Sequence, residues 1–141
     1  METKKLSVYE LMIGNWVYIY KFSNPTDLFP AKVVSIFQGS KEENYNTIEC
    51  VYGTDIVSRP ADTCLAIPIT AEVLEKNGWA RYEEDKNILI LHDKSCVFIK
   101  QKNNGYGVCI DDVRTISGII HYVHEFQNAL QLCGVNKEII L

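Results

Sequence analysis

The sequence predicts an α+β protein. A small antiparallel β unit is expected over residues 1–68, and a helix, a four-stranded antiparallel meander and a long C-terminal helix over 69–141. Three observations carry this expectation. Short apolar alternations broken by turn residues fill the first sixty positions, and Asn104-Gly105 stands between two further alternations. From Ile119 the apolar residues Val123, Phe126, Leu130 and Cys133 recur at helical spacing, within about 80° of one another on a helical wheel.

In the first half, Ser7-Val8-Tyr9-Glu10 has capping-box spacing and starts a single helical turn that ends before Gly14. Trp16 to Phe22 alternates, with Val17 and Ile19 on one face and Trp16, Tyr18, Tyr20 and Phe22 on the other. Its β-branched and aromatic residues mark it as a strand. Ser23 to Asp27 is a turn cluster, Ala31 to Phe37 a second strand, Gln38 to Asn46 a polar loop and Thr47 to Tyr52 a third strand. Gly53-Thr54-Asp55 then turns into Ile56-Val57. Strands this short and this closely spaced suit a strongly curved barrel of SH3-like type, or an open meander packed on the second half.

Leu65 to Ile69 reads as the joint between the halves. Thr70 is an N-cap for a two-turn helix over 71–76, with Asn77-Gly78 as its left-handed stop. Strands follow at Trp79–Glu83, Ile88–His92, Cys96–Gln101 and Tyr106–Ile110, the last two joined through Asn104-Gly105, a strong hairpin signal. Ser117 and Gly134 are the expected cap and stop of the final helix. The segment 138–141 is too apolar to fray and is expected to pair or pack.

The composition narrows the function classes. The 141 residues are 47% hydrophobic and 23% charged, as in an ordinary globular protein, with a net charge of −4. That balance argues against coating nucleic acid, which needs concentrated positive charge. No apolar run approaches a membrane span, and the charged N-terminus has no apolar stretch behind it to make a signal peptide. The five cysteines include no Cys-x-x-Cys pair, so a zinc ribbon or thioredoxin-type site is not expected. These features together predict a cytoplasmic protein without a cofactor.

Three stretches carry a resemblance: Leu11-Met12-Ile13-Gly14-Asn15-Trp16-Val17, then residues 67–79 from Ile67-Pro68-Ile69 through Asn77-Gly78-Trp79, then residues 122–134 from Tyr122-Val123-His124-Glu125-Phe126 to Cys133-Gly134. In this order the chain resembles a group of small uncharacterised proteins of Bacteroides-type gut bacteria, their prophages and mobile elements. The resemblance implies a cytoplasmic protein of bacterial or phage origin and implies no activity. Thr70-Ala71-Glu72 replaces an expected acidic pair after the Thr, and Phe126 replaces the usual Leu.

Two constellations are candidate sites. Trp16, Tyr18 and Tyr20 form an aromatic stripe able to stack bases or grip a proline-rich peptide, or to serve as core if the strand is buried on both faces. With Lys21 and Lys32 the only cations close in sequence, a protein or peptide partner is favoured over nucleic acid. On the last helix, His121, His124, Glu125 and Asn128 share a face. His121, His124 and Glu125 are weak metal candidates, because His-x-x-His-Glu matches neither zincin order and a fixed third ligand is missing nearby. A solvated face, or a backbone hydrogen bond from His124, accounts for the same residues. Cys50 and Cys64 lack an adjacent histidine to activate them, and Asp111-Asp112 reads as an acidic turn. The functional expectation is a non-enzymatic binding or accessory protein, with a metal-dependent enzyme built on the histidine face as the alternative.

Overall fold

The computed structural model describes residues 4–20, 27–39, 46–91, 96–101, 105–110, 114–115, 119–132, 134–135 and 137–141. They form two compact units, Met1–Ile67 and Pro68–Leu141.

The first unit is a four-stranded antiparallel meander of β1 (Trp16–Tyr20), β2 (Leu28–Phe37), β3 (Thr47–Tyr52) and β4 (Asp55–Pro60), in that order. Alternation sets its faces. Val17, Ile19, Ala31, Val33, Ile48 and Cys50 point to one side and are buried. An irregularity between Val33 and Ser35 shifts the β2–β3 register by one residue and keeps Ile36 opposite Ile48. Gly53, at φ 60°, makes the two-residue turn between Tyr52 and Asp55, where a primed turn requires a positive φ. A 3-10 turn over Ala61–Thr63 then returns the chain to β1. Tyr18 and Leu65 exchange both backbone hydrogen bonds, at 2.9 and 3.0 Å. At the N-terminus, the Ser7 side chain accepts from Tyr9 N and opens a 3-10 turn over Val8–Glu10.

The second unit opens with α1 (Ala71–Lys76), whose Thr70 cap accepts from Val73 N at 3.3 Å. Five antiparallel strands follow in sequence order: β5 (Trp79–Arg81), β6 (Ile88–Leu91), β7 (Cys96–Lys100), β8 (Tyr106–Ile110) and β9 (Arg114–Thr115). The final helix, α2 (Val123–Leu132), ends in a Schellman turn. Gly134 N and Val135 N donate to the carbonyls of Gln131 and Leu130, with Gly134 at φ 75°. Phe126 projects from α2 into edge-to-face contact with Trp79 and Phe98, and Phe98 makes the same contact with Tyr106. Asn77, the C-cap of α1, is buried and clamps the tail. Its side chain donates to Ile140 O and accepts from Ile140 N, each at 2.7 Å. Ile139 is buried beside that clamp.

This architecture corrects the predicted α+β class. The chain is β-rich, built on two antiparallel sheets, and among the described residues its two α-helices span six and ten residues. The predicted long helix fails at its first turn. Ile120 exchanges backbone hydrogen bonds with Tyr106 at 2.8 and 2.9 Å, and Ile69 N donates to His121 O, so residues 119–122 are extended. Tyr106, on the stretch of β8 that β9 does not pair, offers backbone partners to this segment, and the β-branched Ile119 and Ile120 accept an extended conformation readily. Ile119 is exposed rather than the first residue of a buried stripe. The expected cap Ser117 and the stripe's last residue Cys133 lie outside the described residues. None of the described helices is long and apolar enough to cross a membrane.

Candidate functional site

The aromatic stripe of β1 is half-buried, and the opposite face of the same strand, Val17 and Ile19, is closed into the core. The register places Lys32 beside Trp16, Pro30 beside Tyr18 and Leu28 beside Tyr20. Lys32 Nζ lies 5.8 Å from the centre of the Trp16 ring, a cation–π distance. Lys32 in turn pairs with Val51, and Val51 with Ile56. A row of Trp16, Lys32, Val51 and Ile56 therefore crosses all four strands on the outer face, ending at Ile56, which is 65% exposed. The aromatic end of this row is visible in the sequence, whose local pattern goes no further. Val51 and Ile56 are missing from it, because cross-strand neighbours depend on register, which no local pattern contains. Lys21, the other nearby cation, lies outside the described residues.

The histidine constellation is reorganised. Because α2 begins at Val123, His121 sits on the extended segment and is not one helical turn from His124. The Glu125 carboxylate accepts from His121 N and Tyr122 N, both at 3.0 Å, and so caps the helix N-terminus. His124 is 1% exposed, with its ring stacked on Tyr122 at 6.0 Å, and Asn128 is half-buried. His121 packs over Gly105, where an added Cβ would lie 2.7 Å from its Cε1. Gly105 is thus required for close approach and not for a left-handed turn. Among the described residues, no group of three or more His, Cys, Asp or Glu could hold a metal ion. His92 and Asp111-Asp112 lie outside the described residues.

Cys50 and Cys64 are poor nucleophiles. Burial pushes the Cys50 thiol up to about 11 and the Cys64 thiol up to about 12. Cys64 Sγ also donates to Pro60 O at 3.6 Å.

In the second unit, Arg81 on β5 pairs with Glu75 of α1 at 2.5 Å. The Glu72 carboxyl is held below its ordinary value, chiefly by a hydrogen bond from its own backbone N–H, then by one from the Thr70 side chain. Burial, then the charge of Glu72, raises the Tyr106 phenol, the opposite of what a tyrosinate base needs. Two clefts are lined by described residues. One, of about 430 Å³, is lined by Leu6, Ser7, Val8, Asn46, Pro60, Ala61 and Asp62. The other, of about 350 Å³, lies over β5 and β6. In the first, the Ser7 hydroxyl accepts from Tyr9 N and the Asn46 amide oxygen from Gly39 N, both at 3.3 Å.

Comparison with family models, with curated proteins and with solved structures finds no match to this chain.

Proposed function

We propose that the chain is a non-enzymatic binding protein that docks an extended, proline-containing peptide segment on the outer face of its first sheet. The observation that carries the reading is the row from Trp16 across Lys32 and Val51 to Ile56, flanked by Tyr18, Tyr20 and Pro30. Tyrosine and tryptophan on a strand give large, rigid contact area at small entropic cost. Aromatic-lined surfaces suit polyproline II segments, which arrive already extended. An acidic residue in the peptide would meet Lys32. The net charge of −4 supports a peptide over a nucleic acid. The unlinked, buried thiols of Cys50 and Cys64 support work in a reducing cytoplasm. The resemblance of the three sequence stretches supports a bacterial chromosome or integrated element as the source.

The test is an NMR titration of the full chain with ten-residue peptides of acidic, proline-rich composition. Shifts are expected at the Trp16 indole and at Tyr18, Tyr20 and Lys32, and Trp16→Ala should weaken binding about tenfold or more. Shifts confined to other surfaces would refute the reading. So would preferential, steeply salt-dependent binding of a single-stranded oligonucleotide.

A further inference from the structure

The far edge of the first sheet is β4, and the register determines which way its backbone groups point. Val33 N donates to Asn15 O and Gly14 N donates to Val33 O, so Val33 faces the β1 side. Its neighbour Lys32 therefore directs its backbone groups at Val51. The alternation then makes Cys50 and Tyr52 bond to Val57 and Asp55. Ile56 and Ser58 are left pointing their N–H and C=O groups out of the sheet. Three further observations agree. Pro60, which has no N–H, has the same outward parity. Arg59 Nη1 donates to the Ser58 carbonyl at 2.8 Å, and Thr63 Oγ1 donates to the Pro60 carbonyl at 2.7 Å. Among the described residues, no strand other than β3 pairs with β4.

This edge is complementary to itself. Asp55-Ile56-Val57-Ser58-Arg59 carries opposite charges two positions either side of Val57. A second copy running antiparallel about Val57 sets each Asp55 opposite Arg59 of the other copy, in the close pairing where side chains meet. Each Ile56 then faces Ser58 of the other copy, and the outward groups of these two residues are the ones exchanged. Among the described residues, neither Asp55 nor Arg59 has an ion-pair partner of its own. We propose that β4 is a self-pairing edge that joins two copies of this chain into a continuous antiparallel sheet, four strands from each, with a two-fold axis at Val57. Arg59 releases the Ser58 carbonyl and turns to the other copy's carboxylate. The pairing covers Ile56 and leaves the Trp16–Tyr20 stripe open at the far side of the sheet.

Sedimentation equilibrium on the full chain, from about 10 µM to about 1 mM, tests this in the range of a small, weak interface. A concentration-dependent dimer is expected. Asp55→Arg alone and Arg59→Asp alone each place like charges opposite one another twice, and each should weaken association about tenfold. An equimolar mixture of the two variants should regain wild-type association as a heterodimer, because each like pair becomes an opposite pair. Ser58→Pro removes an outward N–H while sparing the inward bonds of Val57 and Arg59, and should abolish the dimer with the circular dichroism unchanged. A chain monomeric throughout the range overturns the proposal, as does a dimer indifferent to both charge changes. If Ser58→Pro does not fold, the mixture decides alone, and its failure to associate overturns the proposal.

Discussion

The two sheets place their aromatic residues on opposite sides of the same physical choice. In the second unit Trp79, Phe98, Tyr106 and Phe126 are buried, and Phe98 meets the other three edge to face. In the first unit the buried face is aliphatic, from Val17 and Ile19 to Ile48 and Cys50, while Trp16, Tyr18 and Tyr20 stand half-exposed on the other side. A core held by a few large rings concentrates its energy in few residues. A core of small aliphatic side chains distributes it, and frees the aromatic residues of that strand for a surface. The location of the rings therefore separates the unit whose side chains chiefly hold the fold from the one with aromatic area left for a partner.

The largest effect is expected of Phe126→Ala, which empties the centre of the aromatic cluster. A loss of about 3–5 kcal/mol is expected in a urea melt, and a near-wild-type midpoint would show that the rings are not the second unit's keystone. In the first unit, the buried thiols report how closed the aliphatic core is. Burial raises both thiols from the ordinary value of 9.0, Cys50 to about 11 and Cys64 to about 12, so both stay protonated near neutral pH. Both should resist a disulfide reagent at pH 8 until the chain unfolds. Values raised in the folded state favour the folded chain below the ordinary thiol value. That contribution is lost as pH rises from about 9 toward 12, and a pH series of melts reads it directly.

Gly105→Ala tests whether the second unit depends on close backbone approach as well as on rings. An added Cβ would overlap Ile119 Cγ2 and press on His121, so a cost of about 1–3 kcal/mol is expected. A neutral result would mean that residues 119–121 shift freely. Ile48→Val removes one methylene from the aliphatic core and should cost about 0.5–1.5 kcal/mol, well below the aromatic truncation. Smallest of all, Trp16→Ala should change stability by only about 0.5 kcal/mol while impairing peptide binding. A loss as large as that of Phe126→Ala would mark Trp16 as core and end its role as a surface residue.

Local chemistry was legible where it acts locally. Thr70 caps α1, Gly78 takes the left-handed stop at φ 101°, and Trp16 to Tyr20 alternates between buried and half-buried as its residue types demand. Asn77 shows the limit. Its side chain reads as part of a helix stop, yet it holds Ile140, 63 positions away. The final helix shows the same limit on a larger scale. The apolar spacing of Ile119, Val123, Phe126 and Leu130 is helical, and three of the four are buried on α2. Ile119 leaves the pattern because the edge of β8 competes for its neighbours' backbone groups.

Caps, turns and strand alternations are written in the local sequence, since each depends on side chains within a few positions of the backbone they act on. Tertiary structure alone decided the β-rich class, the separation of His121 from His124, the commitment of Glu125 to a helix cap and the row from Trp16 to Ile56. Each of these is set by hydrogen bonding or packing between segments distant in sequence. Tyr106 binding Ile120, Tyr18 binding Leu65 and Lys32 facing Val51 satisfy buried backbone groups through register, and register is a property of the assembled sheet.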